Sequence, residues 1–186
     1  MGASDLSPEE HLAAVLAHVG FDTDPECAAT PAAFLGLLRG LDPRRAAPGI
    51  TLIDAQSTDP LILREVPFQS LCAHHLVPFL GHACIGLRPA GRLAGLGSIV
   101  RLLHHHALRP QVQERLGATL ADDLILRLDA RSVFVHLSAR HLCLEMRGAR
   151  TPALVQTLAW RGEDDPDLRA LLGEPASTPE QGPPPR

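Results

Sequence analysis

Apolar residues along this chain recur at two different periods, and the change of period divides it. Leu12, Val15, Leu16 and Val19 repeat at three- and four-residue intervals, which lines one face of a helix. Ser7-Pro8-Glu9-Glu10 precedes them as a capping box, with Ser7 at the N-cap, Pro8 at the first helical position and Glu10 reaching back. Gly20 stops that helix. Thr30-Pro31 opens a second one in the same way, with Phe34, Leu35, Leu37 and Leu38 as its apolar content and Gly40 as its end. Leu41 to Gly49 reads as loop. From Leu61 onward the pattern suits strands: Leu61 to Cys72, Phe79 to Leu87, Ser132 to Ser138 and Leu154 to Trp160. A long helical stretch separates the second and third of these. Pro110 opens its clearest part, and Val112, Leu116, Leu120 and Leu124 follow every four residues on one face. Helices first, then strands around a helical stretch, predict an α+β fold. The expected organisation is a helical segment over 1–50, one domain over 51–173, and a Pro-rich disordered tail over 174–186.

Composition narrows the function. A chain of 186 residues with 45% hydrophobic and 20% charged content is that of an ordinary soluble domain. Seventeen basic against 21 acidic residues give a net charge of −4 without a basic tract, which argues against a nucleic-acid or anionic-membrane surface. No apolar run approaches the roughly 18 residues of a membrane span. The acidic start MGASDLSPEEH is unlike a secretory signal, so a cytoplasmic protein is expected. All 17 basic residues are arginine, and ten histidines accompany four cysteines. In a reducing compartment such cysteines bind metal more often than they pair.

The residues that carry chemistry are Cys72-Ala73-His74-His75 and, further on, His141-Leu142-Cys143. A catalytic zinc takes three protein ligands of thiolate, imidazole or carboxylate type and leaves one position open. Cys72, His75 and Cys143 would supply such a set. His74 and His141 would then stand beside it, with a pKa range suited to proton transfer near neutrality. Taken alone, the spacing is equally compatible with two buried apolar thiols and a group of packed or exposed histidines.

The stretch LREVPFQSLCAHHLVPFLG, Leu63 to Gly81, resembles the signature of the GTP cyclohydrolase I family, whose core is S-x-C-E-H-H-x-x-P-F. Three more blocks resemble it in the expected order: GRLAGLGSIVRL from Gly91, RPQVQERL from Arg109 and HLCLEMRG from His141. The resemblance implies zinc ligands at Cys72, His75 and Cys143 and catalytic histidines at His74 and His141. It implies a reaction in which zinc-activated water attacks C8 of guanine, the imidazole ring opens, formate leaves and the ribose rearranges into a dihydropterin. Gln113 and Glu114 match the guanine-binding pair; a carboxylate accepts from both N1–H and the exocyclic amine, a donor pair that adenine lacks. The implied fold is the tunnelling fold, a four-stranded antiparallel sheet with two helices on one face, preceded by N-terminal helices. Such subunits close into rings, here an expected homodecamer with sites at subunit interfaces, where Cys72 and the guanine-binding helix come from different chains.

Departures from the family cluster where it grips a triphosphate. Arg101 and Arg147 have counterparts there. Gly97-Ser98 replaces a Ser-Lys pair, and Ala32 and Ala33 replace basic residues after the Thr-Pro helix start. Each charge-assisted contact contributes roughly 1.5–3 kcal/mol, so losing two or three weakens triphosphate binding by a few orders of magnitude unless Arg92, Arg109 or Arg150 compensates. Ala73 stands where the family has glutamate. His104-His105-His106 occupies an ordinary amphipathic helix position; neighbours about 100° apart cannot all face one metal. The region from Gly40 to Thr51 is short, so an N-terminal helix element is expected to be missing. The expected substrate is a guanine nucleotide; the alternatives are a less phosphorylated guanine compound or another purine, and a non-catalytic zinc-binding ring protein.

Overall fold

A computed structural model describes residues 6–42 and 44–173. They form two compact units, the first running to Arg45 and the second beginning at Ala46. The Pro-rich stretch 174–186, expected to be a disordered tail, lies outside the described residues.

The first unit holds helix α1 (Pro8–His18), a 3₁₀ turn at Pro25–Ala29 and helix α2 (Thr30–Gly40). The capping box forms as read: Glu10 N–H donates to Ser7 Oγ at 3.2 Å, and Ser7 N–H donates to Glu10 Oε2 at 2.7 Å. Arg39 near the end of α2 bridges Glu9 at the start of α1 at 2.9 Å, so the two helices run side by side in opposite directions. Neither helix contains a buried residue.

The second unit is built on one sheet. Its strands are β2 (Leu61–Cys72), β3 (Pro78–Arg88), β5 (Pro110–Gln111), β6 (Ser132–His141) and β7 (Leu154–Gly162), in the order β5-β2-β3-β6-β7. A separate ribbon pairs β1 (Leu52–Asp54) with β4 (Arg92–Ala94). Between them run helices α3 (Leu96–Ala107) and α4 (Gln113–Leu128), a single turn α5 (Leu142–Glu145) and α6 (Pro166–Gly173). The four long strands are antiparallel, as the α+β reading requires.

Two expectations need correction. The sheet has a fifth, two-residue strand, because Pro110 and Gln111 pair in parallel with Leu71 and Cys72. For the same reason Pro110 does not open the long helix. The stretch is drawn into the sheet edge, Val112 stays extended as the N-cap, and helical geometry begins at Gln113.

Helices α3 and α4 cover one face of the sheet. Leu116, Leu120 and Leu124, the period-four ridge, are fully buried, as are Ile99, Leu102 and Leu103 of α3. They pack against the inward positions Phe79, Ile85, Val133, Val135 and Leu137 in a single cluster. Burying one such leucine contributes roughly 1.5–3 kcal/mol. The other face carries the alternate residues and is covered at one end by α6. There Phe134 stacks on Trp160 with ring centroids 5.8 Å apart, the Arg169 guanidinium lies over the indole, and Arg64 donates to Leu171 O. Gly86 admits the Phe134 ring, which a Cβ at that position would strike.

The three consecutive histidines separate as helix geometry demands. His104 sits at the edge of β2, its Nε2 3.0 Å from Pro67 O. His106 points inward and is 7% exposed. Arg109 donates to its Nδ1 at 3.2 Å, so Nε2 carries the proton and donates to Asp123 of α4 at 3.0 Å. Asp123 also pairs with Arg127.

Burial holds the His106 pKa below its ordinary value; Asp123 opposes this, while Arg109 and Arg127 reinforce it. The unfolded chain therefore takes up a proton that the folded one refuses. The stabilisation is present above the ordinary histidine pKa and is lost as pH falls through it toward the lowered folded value. Lowering the pH from 7.5 to 5.5 is expected to reduce the thermal midpoint, and His106→Leu is expected to narrow that drop. An equal drop in the variant would assign the acid sensitivity to other groups.

Candidate metal and catalytic centre

Three strand ends meet at one edge of the sheet. β2 finishes at Cys72, and a tight turn leads into β3 at Pro78. Within it Leu76 N–H donates to Cys72 O at 2.8 Å, His75 N–H approaches the same oxygen at 3.3 Å, and Cys72 N–H donates to Val77 O at 3.0 Å. Leu76 takes φ of 53°, in the left-handed region, and the turn folds His75 back over Cys72. β6 ends at His141, whose register partner on β3 is Phe79. The turn α5 follows at once and brings up Cys143.

The ligating atoms of Cys72, His75 and Cys143 all lie within 4.8 Å of one another. Cys72 Sγ is 3.6 Å from His75 Nδ1. A tetrahedral zinc with ordinary Zn–S and Zn–N bond lengths sets such a pair about 3.5 Å apart, so the spacing fits. The donor set fits too. Two thiols and one imidazole are a zinc combination that leaves a fourth position open. Burial and the neighbouring Cys72 push the Cys143 thiol pKa up, a cost that a divalent cation between the sulfurs removes. His74 stands at the rim, exposed, with Nδ1 3.9 Å from Cys72 Sγ.

His141 is held on two sides. Its ring stacks on Phe79 with centroids 4.7 Å apart and planes 5° from parallel. Its Nε2 is 2.8 Å from Gln113 Oε1. The Gln113 amide nitrogen lies 3.1 Å from Leu137 O, 2.9 Å from Val155 O and 3.2 Å from Thr157 Oγ1. Two of those partners are carbonyls, so the amide cannot be reversed, and its oxygen must receive the proton on His141 Nε2. Nδ1 is left as the basic nitrogen. Burial keeps the His141 pKa below its ordinary value, and the Glu114 carboxylate acts weakly against this.

The other residues singled out in the sequence are more scattered. Gln113 is 1% exposed, with its side chain engaged inside the chain, so it stands behind His141. The helix carrying it packs against β6 and β7 of the same chain. Glu114, one residue on, lines a depression of about 350 Å³ with Gly117, Thr157, Ala159 and Arg161. Ser98 is 2% exposed, and its hydroxyl accepts from Thr51 N–H at 3.1 Å and from Arg101 at 3.0 Å. It therefore holds Arg101 and turns no free hydroxyl outward. Arg101 and Arg147 are exposed. Arg109, weighed as a compensating cation, is bonded to His106.

Two residues of the quoted signature had no role assigned from the sequence: Phe79, the platform under the His141 ring, and Ser70, whose hydroxyl is buried beside Cys72's strand end. Ser70 was visible as the polar member of the inward series Val66, Phe68, Ser70, Cys72. Phe79 read as the start of a strand.

The family model described as GTP cyclohydrolase I matches residues 9–172. Among curated proteins, GTP cyclohydrolase 1 of Mycobacterium leprae is 47% identical over 116 residues, which are 61% of this chain and 57% of that protein. GTP cyclohydrolase 1 of Corynebacterium glutamicum is 50% identical over 99 residues, 52% of this chain and 50% of that one. The chain thus spans little more than half the length of the curated relatives it matches. A solved structure, the archaeosine synthase QueF-Like in the apo form, aligns with 59% of this chain and all of its own at a TM-score of 0.48 and 13% identity. With the family model matching most of its length and the Cys-His-Cys cluster assembled at the strand ends, the chain belongs to the GTP cyclohydrolase I family.

Proposed function

We propose that this chain is a zinc-dependent cyclohydrolase that opens the imidazole ring of a guanine nucleotide at C8, releases formate and forms a dihydroneopterin-type product. The observation that carries the reading is the convergence of Cys72, His75 and Cys143 beside an oriented His141. Zinc in that cluster lowers the pKa of water toward neutrality. The protein's own groups do the rest. His141 presents Nδ1 while Gln113 holds its other nitrogen and Phe79 fixes the ring plane, so it accepts or returns a proton during ring opening. His74, exposed at the rim, handles protons as the C8–N9 bond breaks. Glu114 reads guanine through N1–H and the exocyclic amine. Arg101 and Arg147 take the phosphates, with Ser98 steadying Arg101.

The working unit in this reading is a homo-oligomer, a decamer of ring-forming subunits in the cytoplasm. Among the described residues the outer edge of β7 has no strand partner, and that of β2 is paired only at Leu71 and Cys72. Free edges of this kind invite pairing with another copy. Among the described residues no helix is long and apolar enough to cross a membrane.

A second reading has a specific motive. Ser98 is committed inside the chain, and Ala32, Ala33 and Gly97 stand where cationic or hydroxyl groups would grip a triphosphate. In that reading the substrate is a less phosphorylated guanine compound. Formate release measured side by side with GTP, GDP, GMP, guanosine and ATP separates the two. A strong preference for GTP supports the first reading and a preference for GMP or guanosine the second. Turnover of ATP would contradict guanine recognition by Glu114, and no formate from any purine would leave a zinc-binding ring protein without catalysis.

His141→Ala is expected to retain one zinc per chain and lose at least 100-fold in turnover, the usual weight of a general acid–base group. Near-normal turnover in that variant would remove His141 from proton transfer.

A further inference from the structure

Between the helices and the metal edge of the sheet lies a buried polar cluster that plays no part in the chemistry above. Its centre is Gln111, 1% exposed, and Ser70, 3% exposed. Gln111 Nε2 donates to His106 O at 2.6 Å and lies 3.3 Å from both Arg109 O and Ser70 Oγ. Ser70 Oγ in turn lies 2.8 Å from Ala107 O and 3.2 Å from Arg109 O. His106 and Ala107 close helix α3, whose last carbonyls have no partner within the helix. The two side chains, one from β5 and one from β2, supply those partners.

The same two residues reach Cys72 through the main chain. Gln111 pairs with Cys72 in the parallel ladder, and its carbonyl accepts the Ala73 N–H at 3.0 Å. Ser70 stands two residues before Cys72 on the same inward face. Gln111 thus grips the end of α3 with its side chain and the ligand-bearing turn with its backbone, two residues before Gln113 starts toward His141.

We propose that Gln111, with Ser70, is the positioning element that sets the metal ligand Cys72 against the first turn of α4. Neither residue touches substrate or metal; both act through Cys72. An apolar residue of equal size would fill the space and still leave the α3 carbonyls unpaired and the strand end free to shift. The inference rests on the reading of Cys72, His75 and Cys143 as a zinc site.

The test uses the full chain and measures zinc affinity by competition with a chromogenic chelator, together with the thiolate-to-cobalt absorption of the cobalt-loaded protein. Gln111→Met, close in shape but without a donor, is expected to bind one zinc about 10–100-fold more weakly, the usual effect of losing a partner behind a ligand, and to alter the cobalt spectrum. Ser70→Ala is expected to move both readouts the same way and serves if Gln111→Met does not fold. Leu124→Ala, about three turns along α4 from Gln113, is the packing control: it is expected to lower the thermal midpoint and leave affinity and spectrum unchanged. Affinities of both polar variants within twofold of wild type would overturn the proposal. Wild-type protein that binds no zinc, or Cys143→Ser protein that binds it as tightly as wild type, would overturn the zinc reading and the inference with it.

Discussion

The structure depends on the turn that returns the chain from β2 to β3. Five residues, Ala73 to Val77, must reverse direction and lay His75 over Cys72, and they do so with Leu76 in a left-handed conformation. For a residue with a branched side chain that conformation costs about 1–2 kcal/mol. The offset is local and specific: Cys72 bonds to Val77 and Leu76 through its own N–H and C=O, and Pro78 begins the next strand at once. Once the turn is closed, the register of β2 on β3 and of β3 on β6 fixes where His141 and Cys143 arrive. A slip of one residue in either pairing would turn the inward set outward and scatter the ligands.

Around that edge the protein uses buried polar side chains to aim its functional groups. Gln113 ties α4 to β6 and β7 and presents one oxygen to His141. Gln111 and Ser70 tie α3 to the end of β2. His106 and Asp123 tie α3 to α4. Gln113, Gln111, Ser70 and His106 are nearly excluded from water, where an unmet hydrogen bond costs about 1–3 kcal/mol; alternative packings of the helices are therefore disfavoured. The apolar ridge of Leu116, Leu120 and Leu124 holds α4 on the sheet, and the polar contacts decide its angle and depth.

Much of this was legible in the sequence, for physical reasons. The capping box at Ser7, the period-four ridge of α4 and the β-compatible runs each follow from local geometry, and they matched elements in the structure. Cys72, His75 and Cys143 could be picked by donor chemistry, and they do come together. Pro110 misled because its signal is local: proline favours a helix start, yet pairing with Leu71 drew it into the sheet. The fifth strand was invisible for the same reason, since two residues carry no periodicity. Gln113 was placed in the guanine-binding pair by the resemblance, and a glutamine in a helix's first turn gives no sign that its side chain will be buried against β6 and β7. Ser98 was equally opaque, as its partners Thr51 and Arg101 lie 47 and 3 positions away.

The claim on which all of this turns is that two thiolates and one imidazole share a zinc ion. X-ray absorption at the zinc edge of the loaded protein measures it directly. The account predicts a shell of two sulfurs at about 2.3 Å with the remaining light atoms at about 2.0–2.1 Å. A shell of nitrogen and oxygen alone, or one with a single sulfur, would contradict it.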